Sequence, residues 1–531
     1  MAAGLSALLA LAAFAGDEGN DPAQIVLGER LFLETRFAQA YFANPDKADP
    51  VMDKTITAGQ SLAGPFAGKS MNCRACHMVD EFAGQNDAGT RSYADFARTS
   101  PIPDRGDMLK MTGRNSMSLV NISVPPDEFA LFHFDGEFNS MADLVFGTLT
   151  GRNYGWQAHE QQQAIQHIAK IVRNDSGEGE LAREFGGRYS TILKGENATI
   201  AEKFRLPVEF RIDVDRVSDK QVVMAVSKLI AAYVTDLAFA RDGQGHYEGS
   251  PYDLFLQKNR LPRKPAVGET PDAYSQRLLQ AIDNLASPQY VTEKDGKLVT
   301  HQQAFVFAEK ELDGMKLFFR RGDAKQAGGN CVSCHHAPHF SDYNFHNTGL
   351  TQLNYDAVHG KGAFAGLDIP GLSERKQKHD AYLPASVQHP AASSQFRSAV
   401  SKLKPGHVDL GLWNIYANPD KPAPQKKIHA LLCEQQKKLG KNACNPDTLL
   451  NTAIASFKTP VLRDLGHSAP YMHSGQFDQL SQAISLYISS SELNRKGLLR
   501  HGAHELNAIN IRPEHVEPLS AFLRSLNEDY D

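Results

Sequence analysis

The chain has 531 residues, with 56 Lys and Arg against 61 Asp and Glu, which gives a net charge of −5. This length exceeds what one hydrophobic core usually organises, so we expect at least two domains. Charges of both signs are mixed along the sequence, which excludes an extended basic face, and we expect no nucleic-acid partner.

The N-terminal residues resemble a secretory signal. Leu5 to Phe14 is an apolar, alanine-rich stretch that ends in small residues, although no basic residue precedes it. We therefore predict a signal-like segment over residues 1–20 and location in the periplasm. The stretch is too short to cross a bilayer, so we predict no integral membrane span in the mature chain.

The next segments alternate between helical and irregular patterns. Ile25 to Phe32 places apolar residues three and four apart, which predicts a helix. Residues 44–70 are rich in Gly, Pro, Ala and Asp, which predicts a loop that leads into the first of two repeated motifs.

Cys-x-x-Cys-His occurs twice, at Cys73–His77 and at Cys331–His335. Six Cys and 20 His in this length predict only about 0.003 copies by chance. The motif attaches c-type haem: both cysteines form thioethers with the porphyrin, and the histidine becomes the proximal iron ligand. A zinc interpretation is disfavoured because zinc sites usually need a second pair of ligands. We predict two covalently bound haem c groups, held by Cys73, Cys76 and His77 and by Cys331, Cys334 and His335.

The region between the motifs has helical patterns, such as 220–240 and 274–285, but no haem motif. We interpret about 157–300 as a helical insertion in an N-terminal haem domain, 21–300. The boundary lies near His301, and a C-terminal haem domain covers 301–531. Strand signals are few, so we predict a mainly α fold with long loops around the haems.

Other cysteines and histidines receive structural interpretations. Cys433 and Cys444 lie 11 residues apart, and a disulfide between them is favoured in an oxidising compartment. His336 and His339 follow the second haem motif, and we interpret them as structural. The stretch Gly406–Gly411 is typical of turns.

Several short stretches match motifs of one known family. They are Leu27–Phe32, Arg114–Leu119, Phe134–Gly136, Phe457–Asp464 and Ala469–Gly475. With the two haem motifs they resemble the bacterial dihaem cytochrome c peroxidase/MauG family from about Ile25 to the C terminus, with an interruption at 157–300. The resemblance implies two cytochrome c-like domains, Ca²⁺ at their interface and use of hydrogen peroxide.

The resemblance also implies axial ligands. For the second haem, the family position of the distal ligand falls on Tyr487, 14 residues after His473. Tyrosine is the ligand of the MauG branch, and a phenolate stabilises ferric and higher oxidation states. Met472 is the alternative ligand, and Tyr487 as an ordinary core aromatic is the alternative role.

For the first haem, the peroxidase branch uses a displaceable histidine, but residues 78–114 contain none. Tyr93, Met108 and Met111 are weak candidates. We therefore expect an open, five-coordinate iron above His77, and this iron is the expected peroxide site.

Peroxide cleavage needs a group that moves a proton. Asn153 occupies the place of the family's acid, and Glu160 and His159 follow it as alternatives or as a solvated helix face. Phe134 stands where the family has a tryptophan between the haems, so electrons pass through Phe134, through Trp156 or by direct edge contact.

Two further sites rest on the resemblance alone. His473 matches a motif histidine near the second haem. Asn115, with the backbone carbonyls of Ser468 and Pro470, falls where the family holds Ca²⁺, and such oxygen donors suit a hard cation.

The resemblance implies a MauG-like peroxidase that reduces hydrogen peroxide at the first haem and shares oxidising equivalents with the second. Its electron donor is a small c-type cytochrome, a cupredoxin or a protein substrate. The competing hypotheses are a non-catalytic dihaem electron carrier, with Met108 or Met111 closing the first iron, and a peroxide sensor.

Overall fold

The computed structural model describes residues 21–43, 45, 72–73, 76–77, 102, 105–107, 109, 112–125, 129–195, 200–299, 301–441 and 444–529. The signal-like segment 1–20, most of the predicted loop 44–70, and Tyr93, Met108 and Met111 lie outside these residues.

The described residues are mainly α-helical, which confirms the prediction of a mainly α fold. The helices are α1 (Ala23–Leu33), α2 (Gln39–Ala43), α3 (Met141–Leu149), α4 (Gln161–Asn174), α5 (Glu180–Glu184), α6 (Tyr189–Lys194), α7 (Asp219–Asp236), α8 (Pro251–Lys258), α9 (Pro271–Asp283), α10 (Glu309–Phe319), α11 (Leu350–His359), α12 (Leu372–Gln377), α13 (His379–Tyr382), α14 (Gln425–Lys438), α15 (Pro446–Thr452), α16 (Leu480–Arg495) and α17 (Val516–Arg524). Strands β1 (Phe345–His346) and β2 (Phe457–Lys458) pair antiparallel, with Phe345 opposite Lys458. Within the described ranges, no helix is both long enough and apolar enough to cross a membrane.

Several helices begin where the sequence provides a capping residue. Ser250, Thr270 and Asn445 each accept a hydrogen bond from a backbone N–H of the following first turn. Each is followed by proline, whose missing N–H costs nothing at the first helical position. These pairs set the start of α8, α9 and α15.

Three hydrophobic cores organise the described residues. The first joins α1, α3, α4 and α7, and the third lies within 345–455 with Leu131 added. The second contains α8 to α10, α16 and α17 together with Val332 of the second haem motif. Residues 252–307 therefore pack with the C-terminal motif, although the sequence boundary near His301 groups 252–300 with the N-terminal domain. The helical pattern alone carried no information about which motif α8 and α9 cover.

One helix pair recurs in the first and second cores. At Gly28 of α1, an added Cβ would overlap the carbonyl oxygen of Leu229 in α7. At Gly314 of α10, it would overlap the carbonyl oxygen of Pro518 in α17. Both glycines begin Gly-x-Arg/Lys-Leu-Phe, at 28–32 and at 314–318. Each half thus has two helices that cross at a glycine, and a comparison of the two halves of the sequence would have revealed the second copy.

Replacing Gly314 should test this close approach. We expect Gly314→Ala to lower the unfolding free energy of the haem-loaded protein by about 1–3 kcal/mol, because backbone must move to admit the methyl group. Gly371→Ala is the matched control, since Gly371 has φ −70° and no atom near the position of its added Cβ. Urea denaturation of both variants measures the difference, and equal losses would contradict the packing argument.

Candidate functional site

The second haem motif holds its histidine in a fixed orientation through the backbone. Cys331–Ser333 forms a single 3₁₀ turn, and the His335 backbone N–H donates to Cys331 O at 2.9 Å. His335 Nδ1 lies 2.9 Å from Phe340 O, and because a carbonyl only accepts, Nδ1 carries the proton. Burial lowers the pKa of His335 to about 4, so the imidazole is neutral. Its Nε2 lone pair is therefore available to a metal ion.

A mainly apolar cavity connects this motif to α16. Its walls include Cys331, Cys334, His335, Met472, His473, Leu480, Ala483, Ile484 and Tyr487. The four residues from α16 stand at 480, 483, 484 and 487, an i, i+3, i+4, i+7 pattern that places them on one helix face. The structure thus brings His335 and the predicted ligand Tyr487 to one cavity. The alternative ligand Met472 also lines it.

These residues fit a covalently attached haem. Two thiols stand beside a neutral imidazole, and apolar walls suit a porphyrin ring. Burial raises the pKa of Cys331 to about 12 and the pKa of Tyr487 above its usual range. The phenol of Tyr487 is therefore protonated at neutral pH unless a metal ion binds it, and a bound cation favours the deprotonated form.

The first haem motif has the same chemistry. Cys73 Sγ lies 3.2 Å from the Tyr154 hydroxyl, and burial raises the pKa of Cys73 to about 12. Burial lowers the pKa of His77 to about 4. The prediction that the iron above His77 is open depends on residues 78–101, Met108 and Met111, which lie outside the described residues.

The acid/base candidates lie near Tyr154. Asn153 is half-buried in the 3₁₀ turn Arg152–Tyr154, directly before the residue that contacts Cys73. Both carboxylate oxygens of Glu160 are engaged: Oε1 lies 2.6 Å from Arg105 Nη2, and Oε2 accepts from the Gln157 backbone N–H at 2.8 Å. His159 is exposed. These two contacts hold Glu160 at the start of α4.

A buried ion-pair group joins three distant segments. Arg114 contacts Asp135 Oδ2 at 2.6 Å and binds both carboxylate oxygens of Asp409 at 2.6 and 2.8 Å. Asp135 is completely buried. The sequence pattern around Asp409 predicted only a turn, so its role in holding Arg114 was missed.

Two of the predicted Ca²⁺ ligands, Asn115 and Pro470, lie next to each other in the structure. Asn115 Nδ2 donates to Pro470 O at 2.6 Å, and Asn115 Oδ1 is buried without a hydrogen-bond partner among the described residues. Asn115 Nδ2 also donates to Met472 O at 3.4 Å, and Ser468 lines the adjoining cavity.

Aromatic groups are distributed unequally around the motifs. Phe134 lines the second cavity, and its carbonyl accepts from the Lys458 backbone N–H at 2.8 Å. The His473 ring stacks on Phe457 with centroids 3.6 Å apart, and burial lowers the pKa of His473 to about 4. Trp156 is fully buried in the first core.

The predicted disulfide is not formed in the structure. Cys433 and Cys444 are both free thiols. Burial and a hydrogen bond with Cys444 raise the pKa of Cys433 to about 11. His336 lies 3.7 Å from Asp272, in keeping with a structural interpretation.

A buried lysine also lines the second cavity. Lys458 is 7% exposed, and its ammonium donates to Leu131 O. Burial lowers the pKa of Lys458 from 10.5 to about 8.

No protein-family profile matches the chain. The cytochrome-c peroxidase IdrP1 of Pseudomonas sp. (strain SCT) is 23% identical over 259 residues, which is 47% of this chain and 50% of that protein. The match confirms the resemblance to cytochrome c peroxidases that the motifs indicate. The chain spans about half the length of this curated relative.

The chain is also similar to several solved structures. The dihaem peroxidase BthA from Burkholderia thailandensis E264 is 16% identical, with a TM-score of 0.43 over 96% of this chain and 86% of that one. A MauG-like protein associated with microbial copper homeostasis is 16% identical, with a TM-score of 0.45 over 96% of this chain and 90% of that one.

The pH dependence of stability should report the buried charge of Lys458. A lysine whose pKa is lower when folded destabilises the protein below pH 8, and the loss is relieved as the pH rises to 10.5. We expect Lys458→Met to raise the unfolding free energy by up to roughly 3 kcal/mol at pH 7, with the gain shrinking between pH 8 and 10.5. Chemical denaturation across this range measures it. The exposed Lys220→Met is the control, and a gain of constant size would refute the assignment.

Proposed function

We propose that this chain is a periplasmic dihaem c-type peroxidase of the MauG-like kind. It reduces hydrogen peroxide at the haem held by Cys73, Cys76 and His77. It shares oxidising equivalents with the haem held by Cys331, Cys334 and His335, for which Tyr487 is the second axial ligand. The observation that supports this proposal best is that His335 and Tyr487 line one apolar cavity.

A haem iron with a vacant axial position binds and cleaves peroxide, whereas an iron with two strong ligands transfers electrons. His335 is suited to the second role because its N–H···O bond to Phe340 fixes the ring and strengthens the free nitrogen as a donor. Tyr487 adds a hard anionic oxygen, which favours high oxidation states. His77 supplies the neutral imidazole for the first role.

The proton-transfer step is assigned to the side of the first haem where Asn153 and Glu160 lie. Asn153 donates and accepts hydrogen bonds but does not titrate, so it orients peroxide. Glu160 supplies the carboxylate on this side, its pairing with Arg105 holds it in place, and a positioned carboxylate is a group that can move a proton.

Phe134 and His473 are assigned to the electron path at the second cavity. Both line that cavity, and the His473 ring stacks on Phe457. Electrons return from a small c-type cytochrome, a cupredoxin or the side chain of a protein substrate.

The proposal includes Ca²⁺ at Asn115 and the carbonyls of Ser468 and Pro470. The buried Asn115 Oδ1 without a partner among the described residues supports it. Calcium takes six to eight oxygen ligands, so water supplies the remainder.

One observation favours a second candidate, a non-catalytic dihaem electron carrier or peroxide sensor. Both oxygens of Glu160 are committed to other groups, and the position of the family's acid is Asn153. Turnover of peroxide with an artificial electron donor separates this candidate from the enzyme.

Low-temperature EPR of the oxidised protein tests the ligand assignment. We expect one high-spin and one low-spin ferric signal, with the low-spin signal lost or shifted in Tyr487→Phe because its anionic ligand is removed. Tyr471→Phe is the matched control, since Tyr471 lines the same cavity but donates its hydroxyl to Leu465 O at 2.9 Å. Two low-spin signals that Tyr487→Phe leaves unchanged would overturn the assignment.

Stopped-flow reaction with peroxide tests the acid/base assignment. We expect Glu160→Gln to slow the peroxide step by about 10²- to 10⁴-fold, the usual contribution of a positioned proton-transfer group. Asp107→Asn is the control because it breaks the neighbouring half-buried pair with Arg152. Equal slowing in the two variants would show that Glu160 only supports the local fold.

A further inference from the structure

Tyr247 makes an unusually complete set of contacts for a buried phenol. It is 3% exposed, and it packs with Val120 and Phe239 in a small cluster of its own. Its hydroxyl oxygen accepts from Asn121 Nδ2 at 3.1 Å and from Arg241 Nη2 at 2.9 Å. The same oxygen lies 2.7 Å from His339 Nδ1.

These contacts determine the direction of the short bond. The two donors occupy the acceptor positions of the phenol oxygen, so the hydroxyl proton is left to point at His339 Nδ1. His339 Nδ1 therefore accepts, and its imidazole is neutral. Burial and the nearby Arg463 and Arg241 lower the pKa of His339 to about 3, which agrees with this state.

The pair lies between the second haem cavity and solvent. His339 is four residues after the proximal ligand His335. Val120 and Asn121, which contact Tyr247, both line the cavity. On the other side, the guanidinium of exposed Arg241 covers the Tyr247 ring at 4.6 Å. One side-chain layer thus separates Tyr247 from the cavity and another separates it from water.

A second tyrosine shows what this arrangement adds. Tyr343 lines the cavity itself, and its ring centroid lies 6.4 Å from that of His339. Its hydroxyl is buried without a hydrogen-bond partner among the described residues. A tyrosine that loses an electron becomes a very strong acid, so oxidation is favourable only where a base takes the proton. Tyr247 has such a base and Tyr343 does not.

We propose that Tyr247 and His339 form a proton-coupled relay that carries oxidising equivalents from the second haem towards the surface at Arg241. The relay rests on the proposed peroxidase function, which supplies the oxidant. In one step, Tyr247 gives one electron to the peroxide-oxidised haem centre, which is reduced by one electron, and its phenolic proton moves to His339 Nδ1. The external one-electron donor then reduces the tyrosyl radical, and the proton returns from His339 to the phenolate oxygen.

The surrounding charges limit which oxidant operates the relay. The Arg463 guanidinium lies 3.7 Å from the centroid of the Tyr247 ring, and both oxygens of Asp253 bind that guanidinium at 2.8 and 2.9 Å. Among the described residues, Arg241 has no carboxylate partner. Its positive charge beside the Tyr247 ring therefore raises the free energy needed to remove an electron from Tyr247. Tyr247 therefore stays reduced until a strong oxidant forms in the cavity.

Freeze-quench EPR of the haem-loaded protein after one equivalent of peroxide tests the relay. We expect a radical signal that narrows when the protein is made with ring-deuterated tyrosine, that is lost in Tyr247→Phe and that persists in Tyr343→Phe. In His339→Gln, which keeps an acceptor but removes the base, we expect loss of the signal, whereas in the unmodified protein we expect a solvent deuterium isotope effect on its formation. A signal that survives Tyr247→Phe, or one that Tyr343→Phe abolishes, overturns the relay.

The haem absorption spectrum separates this failure from failure of the proposed function. If peroxide changes the haem spectrum but no Tyr247-dependent radical forms, the relay alone is wrong. If peroxide leaves the haem spectrum unchanged, the peroxidase proposal is wrong, and a photogenerated ruthenium(III) oxidant then replaces peroxide. A Tyr247-dependent radical under that oxidant supports the relay, and its absence overturns it.

Discussion

The two halves of the site depend on one buried arginine. Arg114 binds Asp135, which follows Phe134, and Asp409, which lies in the third core's sequence region. Its neighbour Asn115 is held at the same place by the Pro470 carbonyl and by the His473 backbone. A buried guanidinium needs both carboxylates, since an unpaired buried charge costs several kcal/mol. Electrostatics therefore fixes the loop 114–118 against the second cavity, and the positions of Phe134 and His473 follow from it.

Packing adds a second constraint that repeats in each half. Gly28 and Gly314 each allow one helix to lie directly on the backbone of a helix far along the chain. The partner helices α7 and α17 are separated from α1 and α10 by about two hundred residues, so the short Gly-x-Arg/Lys-Leu-Phe stretch determines a long-range contact. Each haem motif follows the first helix of its pair, α1 or α10, in sequence. The two crossings form part of the hydrophobic cores against which the motifs pack.

The helical class was predictable because it depends on local spacing, and the motifs pointed to His335 and Tyr487, which the structure places on the wall of one cavity. The sequence missed the placement of α8 and α9, since an amphipathic pattern reveals a buried face but not the surface that covers it. It missed Asp409 and Tyr247 because their partners lie 295 residues away at Arg114 and 92 residues away at His339. Such contacts between single polar groups leave no periodic signal.

The aromatic side chains in and around the second cavity differ in how easily they lose an electron. Phe134 lies on the cavity wall, and phenylalanine is far harder to oxidise than tryptophan or tyrosine. Trp156 and Trp413 are buried in the first and third cores, and neither lines the second cavity. The Tyr343 hydroxyl has no base within the described residues, so it too resists oxidation. Phe134 and Tyr343 are thus poor sites of oxidation on this wall, whereas the phenol of Tyr247, one side-chain layer behind it, is already bonded to an imidazole.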